Sequence, residues 1–359
     1  MIGAKRLMLK YFNAYRFGNS RLLLSVLVLS VLLFTSGCGL FGAKWKIEVP
    51  PVLTPRSDAS KDRLIQEVNR LATVKSIHGK VDIQFEDTSF ASSGVADQYR
   101  LVDGTITLQR PGKIYLIIQF TFVDIAQMAS DGEHFRVAVL RGDEKYKRFV
   151  KGTNSANYPK LVEPETAPAT QGNNKKKSEK EAVNALSNLR PQHLTDAFMI
   201  RPIEPNNGLI YVQSEFFQEE PDNRPRAKKG ARVVRPYYLL EEFSQPNAGD
   251  AKLLRRFWID RVAGIRLARV QTYDDRGLLV TDVSYYNEKT LGSNTTASLP
   301  SRIEITRPQD QYKLNITYQD TGSVELDREY GPKPFVLENK WGLPEVDLDA
   351  QNRKITANQ

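Results

Sequence analysis

The sequence predicts a mainly β protein of the α+β class, in which about eleven antiparallel strands form one strongly curved sheet covered by helices. Apolar and polar residues alternate with a period of two through much of the chain beyond residue 76. Short turn-forming sequences, such as Pro111-Gly112 and Arg276-Gly277, separate successive runs. Two other segments have apolar residues at helical spacing, and these indicate the helices.

The first predicted strand begins at Ile77, where Val81, Ile83 and Phe85 point to one face and the polar residues between them to the other. Similar runs lie at residues 99–109, 113–121, 133–140, 209–214, 237–243, 253–260, 265–273, 278–286, 302–307 and 312–319. Short connections between them indicate hairpins and hence an antiparallel sheet. About eleven twisted strands do not lie flat, so we expect the sheet to curve.

Two helices are predicted to fill the inside of this curved sheet. The first has Leu64, Val68 and Leu71 at helical spacing behind a Ser60 cap. The second covers residues 182–189 and continues toward Phe198. Each helix has an apolar face that must be covered, and the concave face of the sheet can cover it.

The N-terminus has the layout of an export signal. An apolar run at residues 22–34 follows five basic residues, and no acidic residue precedes Cys38; the basic residues are Lys5, Arg6, Lys10, Arg16 and Arg21. The run has 13 residues, whereas a helix needs roughly 20 to cross a bilayer. The sequence therefore favours a cleaved signal peptide over a permanent transmembrane helix.

The sequence Thr35-Ser36-Gly37-Cys38 resembles the lipobox of bacterial lipoproteins, although Thr35 stands where an aliphatic residue is usual. The resemblance implies that residues 1–37 are removed and that Cys38 is acylated. Cys38 is the only cysteine, which excludes an intrachain disulfide. The alternative is a secreted protein with a free thiol. Because one acyl chain holds a protein only marginally, the several chains of a lipoprotein cysteine are needed for anchoring.

Residues 38–56 are predicted to be the lipidated N-terminus and an extended tether, because prolines recur there without clear periodicity. Gly39 replaces the Asp that retains enterobacterial lipoproteins in the inner membrane, which favours the outer membrane, facing the periplasm. Without the five basic residues of the signal, 46 basic residues oppose 42 acidic ones. This small excess, interspersed in sign, argues against a nucleic-acid partner.

The predicted body, residues 57–331, contains a low-complexity insertion at about 154–180 that is expected to be mobile. Its lysine run, residues 175–177, is expected to be solvated, and contact with anionic lipid headgroups is the alternative. The proline-containing tail, residues 332–359, is expected to be irregular, with Phe335, Val336, Leu337 and Trp341 packing it against the body.

Two motifs carry a resemblance to a known family. The hairpin that begins at Gly104 has the sequence Gly-Thr-Ile-Thr-Leu-Gln-Arg-Pro-Gly-Lys-Ile-Tyr-Leu, and Ser-Asp-Gly-Glu-His-Phe begins at Ser130. Together with the signal and the first helix, they resemble the LolA/LolB superfamily of lipoprotein carriers and receptors and the related LppX-type lipid carriers. The resemblance covers roughly residues 58–330. It implies a curved antiparallel half-barrel whose open mouth is covered by helices.

A half-barrel filled loosely by helices has a concave apolar face that can accept acyl chains. The candidate ligand-binding residues are Ile83, Phe85, Leu108, Leu116, Ile118, Phe120, Phe135, Val137, Phe257, Ile259, Leu314 and Ile316. Alternating aliphatic residues in a sheet are also what an ordinary packed core requires. The sequence leaves both interpretations open.

Catalysis is not predicted. The three histidines lack the spacing of metal ligands, and no second cysteine is present. Ser130-Asp131-Gly132 lacks the Gly-x-Ser-x-Gly pattern, and the adjacent acids Glu219 and Glu220 face opposite ways on a strand. We therefore expect no catalytic residues, no metal and no cofactor.

These observations predict a membrane-anchored lipoprotein of the cell envelope that binds or transfers a hydrophobic cargo, either lipid or the acyl chains of lipoproteins. Its partners are then the membrane, through acylated Cys38, and a lipid or acyl-chain ligand. The alternative is a structural or interaction lipoprotein of an envelope complex, which contacts other envelope proteins through a sheet edge or its tail.

Overall fold

The computed structural model describes residues 49–88, 97–98, 101–120, 122–142, 144–156, 158, 189–204, 206–245, 250–292 and 298–357. The predicted signal peptide, Cys38 and most of the predicted insertion lie outside these residues. None of the described helices is long and apolar enough to span a membrane.

Three α-helices are described: α1 (Lys61–Ala72), α2 (Pro191–Phe198) and α3 (Leu348–Ala357). The N-terminus of α1 is capped as predicted, because Ser60 Oγ accepts a hydrogen bond of 3.4 Å from Arg63 N. Proline at the first position of α2 suits a helix start, where its missing N–H is not needed. Of the predicted second helix, residues 182–188 are not described, and 189–190 precede α2 as irregular chain.

Sixteen strands are described, against about eleven predicted. They are β1 (Ser76–Asp87), β2 (Asp97–Gln98), β3 (Val102–Gln109), β4 (Lys113–Phe120), β5 (Val123–Asp131), β6 (His134–Val139), β7 (Arg148–Thr153), β8 (Ile210–Pro221), β9 (Arg232–Phe243), β10 (Leu253–Asp260), β11 (Arg266–Tyr273), β12 (Leu279–Thr290), β13 (Ser298–Arg307), β14 (Tyr312–Tyr318), β15 (Glu325–Leu326) and β16 (Glu345–Asp347). All belong to one curved sheet that does not close.

The sheet consists of two antiparallel series that meet at one strand pair. The first series runs from β1 through β3 to β7, and the second runs from β8 to β14, with each strand beside its neighbour in sequence. The pairing of β1 with β14 joins them and sets Ile83 opposite Ile316 and Phe85 opposite Leu314. The mainly β, curved antiparallel architecture predicted from the alternation is thus confirmed.

The main core lies between the sheet and the first two helices. Leu64, Val68 and Leu71 of α1 and Leu194 and Phe198 of α2 are buried in one cluster with side chains from both series of strands. Burial of each such side chain contributes about 1.5 to 3 kcal/mol. Helix propensity contributes little to an eight-residue helix, so this packing is the main stabilisation of α2.

Strands β5 and β7 were not predicted, because their burial does not alternate. Residues Ala126 to Ser130 of β5 are all buried, as are Arg148 to Val150 of β7. A second apolar cluster, with Ala129, Ala138, Phe149 and Leu337, covers the face of these strands opposite to the main core. A strand buried on both faces lacks the period-two pattern on which the sequence prediction relied.

The C-terminal segment, expected to be irregular, contains β16 and α3. β16 pairs in parallel with β7, and the Phe149 amide donates a hydrogen bond of 2.8 Å to the Pro344 carbonyl. Phe335 and Leu337 are buried, and Trp341 packs against the second cluster, as expected for these side chains. The same expectation was wrong for Val336, which is exposed because its side chain points away from the sheet between those of Phe335 and Leu337. The segment therefore covers the outer face of the sheet near β4 and β5.

Candidate functional site

The twelve candidate cavity residues lie on six strands, β1, β3, β4, β6, β10 and β14. Eleven of them are buried members of the main core cluster, and Phe120 is half-buried at the end of β4. The alternation therefore placed these side chains on the face that α1 and α2 cover. Whether this face binds a ligand remains a prediction.

The described residues enclose a small apolar cavity of about 20 Å³. It is lined by Leu71 of α1, by Phe198 and Ile200 at the end of α2, and by side chains of facing strands. A site for an acyl chain would need more space, since small-molecule pockets have volumes of about 300–1,000 Å³. An acyl chain at this position therefore requires displacement of side chains or of a helix.

The C-terminal end of α2 is held by hydrogen bonds. Tyr285 donates from its hydroxyl to the Ala197 carbonyl at 2.9 Å. The Arg110 guanidinium donates to the carbonyls of Val74, after α1, at 2.8 Å and of Ile200, after α2, at 2.9 Å. Asn69 forms two further hydrogen bonds, of 2.8 and 2.9 Å, with the backbone of Ile203. This end is therefore attached to both α1 and the sheet.

The N-terminal end of α2 borders a polar cavity of about 340 Å³, which we call the mouth cavity. Its lining side chains come from β6, from the segment after β7, from α2 and from β12 to the β13–β14 turn; they are Phe135, Thr153, Asn154, Ser155, Ala156, Tyr158, Arg190, Gln192, His193, Asp196, Arg201, Thr272, Val280, Thr281, Arg307 and Asp310. Phe135 also belongs to the main core. The mouth cavity thus adjoins the predicted ligand-binding face.

Two hairpin turns position Phe135. Asp131 Oδ1 accepts hydrogen bonds from the backbone amides of Glu133 at 2.9 Å and His134 at 2.7 Å, which fixes the turn before β6. Gly132 has a φ of +104°, and a Cβ there would lie 2.9 Å from the Pro111 carbonyl oxygen. Only glycine fits this close approach of two turns without displacement.

Arg190 lies over two aromatic rings of the mouth cavity. Its guanidinium carbon is 5.3 Å from the ring centroids of both Phe135 and Tyr158. Its Nη1 is buried and has no hydrogen-bond partner among the described residues. Burial lowers the pKa of Arg190 from its usual value, but an arginine remains protonated at neutral pH.

Acidic side chains balance part of this positive charge. Arg307 donates from Nε to Asp310 at 2.7 Å, so this pair is neutral as a unit. The Asp196 side chain opens into the cavity, but protein atoms surround it on most sides. This burial raises the pKa of its carboxyl, against the opposing effect of Arg201 and Arg307. Three arginines therefore face two aspartates, one of which is already paired.

His193 connects the mouth cavity to the core. Its Nδ1 lies 2.6 Å from the Tyr312 hydroxyl, and the Tyr312 ring stacks on Phe85 with centroids 5.6 Å apart. Burial, followed by the charges of Arg307 and Arg190, lowers the pKa of His193 well below 6.5. The imidazole is therefore neutral at physiological pH.

A second polar cavity, of about 480 Å³, shares Arg201 and Thr272 with the mouth cavity. It borders a buried ion pair in which Arg255 Nη2 lies 2.6 Å from Glu242 Oε2. The Tyr211 hydroxyl also donates to Glu242 at 2.8 Å. Glu242 therefore has its hydrogen-bond partners within the protein, and its ion pair with Arg255 stabilises the fold.

Sequence reasoning did not find Arg190, Asn154 or Tyr158 as parts of a site. Asn154 lay within the segment interpreted as the insertion, and the three histidines, His193 among them, were weighed only as metal ligands. One signal was available: Arg190 is a cation directly before the proline that begins α2. Within the described part of the chain, no group of three His, Cys, Asp or Glu residues could hold a metal ion.

The fold and this site define a class of protein: a curved, unclosed antiparallel sheet with an apolar concave face, two helices over that face and a polar cavity at one helix end. No family model and no curated protein matches the sequence. Solved structures that resemble the chain include a LolA superfamily protein from Nitrosomonas europaea, with 12% identity and a TM-score of 0.38. That match covers 78% of this chain and 99% of the other.

Two further structures are similar to a comparable degree. A DUF1329 family protein from Desulfovibrio piger has 12% identity, a TM-score of 0.35 and coverages of 76% of this chain and 95% of its own. A domain from Vibrio parahaemolyticus, provisionally described as an outer membrane lipoprotein-sorting protein, has 14% identity, a TM-score of 0.36 and coverages of 76% and 94%. The superfamily named in the first match is the one that the two sequence motifs resemble. Likeness at this level assigns no function.

Proposed function

We propose that the chain is a lipoprotein of the bacterial cell envelope, anchored through acylated Cys38 in the outer membrane and facing the periplasm, that binds or transfers a hydrophobic cargo without covalent chemistry. The cargo is a lipid or the acyl chains of other lipoproteins. The supporting observation is that, among the described residues, two short helices cover the apolar concave face of an unclosed sheet. A second sheet would be a much larger and more permanent cover.

In this proposal, α2 is the part that yields to the cargo. It has eight residues, its C-terminal end is held by hydrogen bonds, and its N-terminal end borders a cavity. An acyl chain that replaces α2 against the sheet gains about 0.8 kcal/mol for each buried CH₂. A chain of ordinary length can therefore offset the lost contacts of Leu194 and Phe198.

The test uses a photoactivatable fatty alcohol and the full chain in nanodiscs of a neutral phospholipid. We expect irradiation to attach the probe to peptides that contain β6 and α2. Leu194→Trp should reduce this labelling, because the larger side chain occupies space against the sheet. Leu278→Trp, at a turn position that is 49% exposed, is the matched control.

Thermal unfolding of each variant separates lost binding from lost folding. Wild-type protein that unfolds cooperatively and takes up no label on β6 or α2 would contradict the carrier proposal.

The anchor has its own test. Cys38→Ser removes the only thiol in the chain, so labelled palmitate should no longer be incorporated. Persistent incorporation would show that Cys38 is not the lipid attachment site.

The second candidate function is an interaction lipoprotein, and the outer edge of β8 supports it. Among the described strands, β8 pairs only with β9. Four of its apolar side chains are 40–43% exposed; they are Ile210, Val212, Phe216 and Phe217. An extended segment of another envelope protein could add to this edge. If the interior takes up no probe, this function becomes the better-supported one.

A further inference from the structure

We propose that the mouth cavity binds the anionic oxygen group of an amphiphilic cargo, a carboxylate or a phosphate, through Arg190. This inference rests on the proposed function, because it concerns the headgroup of the same cargo.

Arg190 combines properties that an anion site needs. Its charge is held beside two aromatic rings, with the guanidinium carbon 5.3 Å from each centroid, so the side chain is oriented before any ligand arrives. Its buried Nη1 lacks a partner among the described residues, and an unsatisfied buried donor is costly. A ligand oxygen would satisfy this donor.

Asn154 supplies a second unsatisfied atom in the same cavity. Its side-chain amide nitrogen donates to Ser130 Oγ at 2.8 Å and to the Gly132 carbonyl at 2.9 Å. Its Oδ1 is buried and has no partner among the described residues. Arg190 and Asn154 both line the cavity, so a small movement of these side chains would present one donor on a cation and one acceptor to a headgroup that has an anionic oxygen together with a hydroxyl or N–H group.

The surrounding charges favour an anion. Asp310 is paired with Arg307, and its charge also acts on Arg190. Asp196 is the other acid of the cavity, and Arg201 and Arg307 act on it. The sum of three arginines and two aspartates leaves one positive charge, even with both carboxyls ionised.

The size and place of the mouth cavity fit a headgroup and not a whole lipid. A volume of about 340 Å³ is near the lower limit for ligand pockets. Phe135, which lines the cavity, and Tyr312, which contacts His193, both belong to the apolar core. An anionic group at Arg190 would therefore leave its attached chain at the border of the concave face.

The experiment compares two photoactivatable probes of equal chain length, a fatty acid and a fatty alcohol, on the full chain in neutral nanodiscs. We expect the acid to label β6 and α2 at about tenfold lower concentration than the alcohol, because a hydrogen bond to a charged group is lost with the alcohol. Arg190→Gln should remove this preference. Arg276→Gln, on an exposed turn, should retain it.

The outcomes separate the two proposals. Equal labelling by acid and alcohol in the wild type, which needs no variant, would overturn the anion site and leave the carrier function standing. No interior labelling by either probe would overturn both. Inorganic phosphate at the concentration of the probe should not reduce acid labelling. If phosphate abolishes that labelling, the ligand of the site is a small free anion and not the headgroup of an amphiphile.

Discussion

Glu242 is a carboxylate on β9 whose side chain is only 4% exposed, and its partner Arg255 is 9% exposed. Removal of one member of a buried ion pair leaves the other charge without compensation in a site of low polarity. We expect Glu242→Ala to lower the free energy of unfolding by about 3 kcal/mol or more, as measured by urea denaturation.

The matched control is Glu219→Ala on the adjacent strand β8. Glu219 pairs with Arg232, and both side chains are about half exposed. Exposed pairs contribute about 0 to 1 kcal/mol, so this variant should be nearly as stable as the wild type. Equal losses in the two variants would show that burial does not determine the contribution of these pairs.

His193 should make stability depend on pH. Its pKa in the folded protein is lowered well below 6.5 by burial and by Arg307 and Arg190. Below about pH 6.5 the unfolded chain therefore binds a proton at this position while the folded chain does not. Stability is complete above that pH and falls as the pH decreases, by up to about 1.4 kcal/mol per pH unit.

The comparison with His193→Gln isolates this contribution, because the other titrating groups are present in both proteins. The difference in unfolding free energy between wild type and variant should shrink as the pH is lowered from neutrality. Parallel stability curves over this range would mean that the imidazole is protonated in the folded state.

At the scale of residues, the sequence predicted which face of the sheet a side chain lies on, but it did not predict the mouth cavity. Ile83, Phe85 and Ile316 could be assigned to the concave face because period two follows directly from strand geometry. Arg190, Asn154 and Asp310 come from segments far apart in the chain. Only the register of the sheet and the path of α2 bring them together, and neither follows from local pattern.

The C-terminal segment is the element whose contribution is most directly testable. Phe335 is completely buried near β4 and β5, and Lys113 Nζ lies 5.8 Å from its ring centroid. We expect Phe335→Ala to lower the unfolding free energy by about 3–5 kcal/mol.

Val336 is the natural control, since it is adjacent in sequence and 44% exposed. Val336→Ala should change the unfolding free energy by no more than about 0.5 kcal/mol. Calorimetric melting of both variants checks the pair. A Phe335→Ala protein as stable as the Val336→Ala protein would contradict the packing of this segment on the sheet.

Two strands that sequence analysis missed, β5 and β7, are buried on both faces. They have the second cluster on one side and the main core on the other, so hydrophobicity does not alternate along them. By contrast, β14 alternates between buried and half-buried residues throughout and was predicted to within one residue. β2, β15 and β16 were also missed, and each has only two or three residues, too few to show a period of two.

At the scale of the whole molecule, the two series of strands meet at one junction, the pairing of β1 with β14. Neighbouring strands in each series are also neighbours in sequence, whereas β1 and β14 are separated by more than two hundred residues. Both helices contact the core formed by the two series. Strand pairs within each series therefore join residues that are close in sequence, whereas the β1–β14 pair joins residues that are far apart in sequence.

This junction has a consequence for the order of folding. Closure of a short hairpin loop costs little chain entropy, whereas the β1–β14 pairing requires a very long closure. We expect the β4–β5 and β9–β10 hairpins to form first, each within its own series, and the β1–β14 ladder to form last. Pulse-labelled hydrogen exchange during refolding should show amides of the β1–β14 ladder, such as those of Gln84 and Asn315, protected after those of Leu116 and Phe257. Simultaneous protection would indicate that the two series fold as a single unit, and the unclosed sheet would then be assembled from its centre outward.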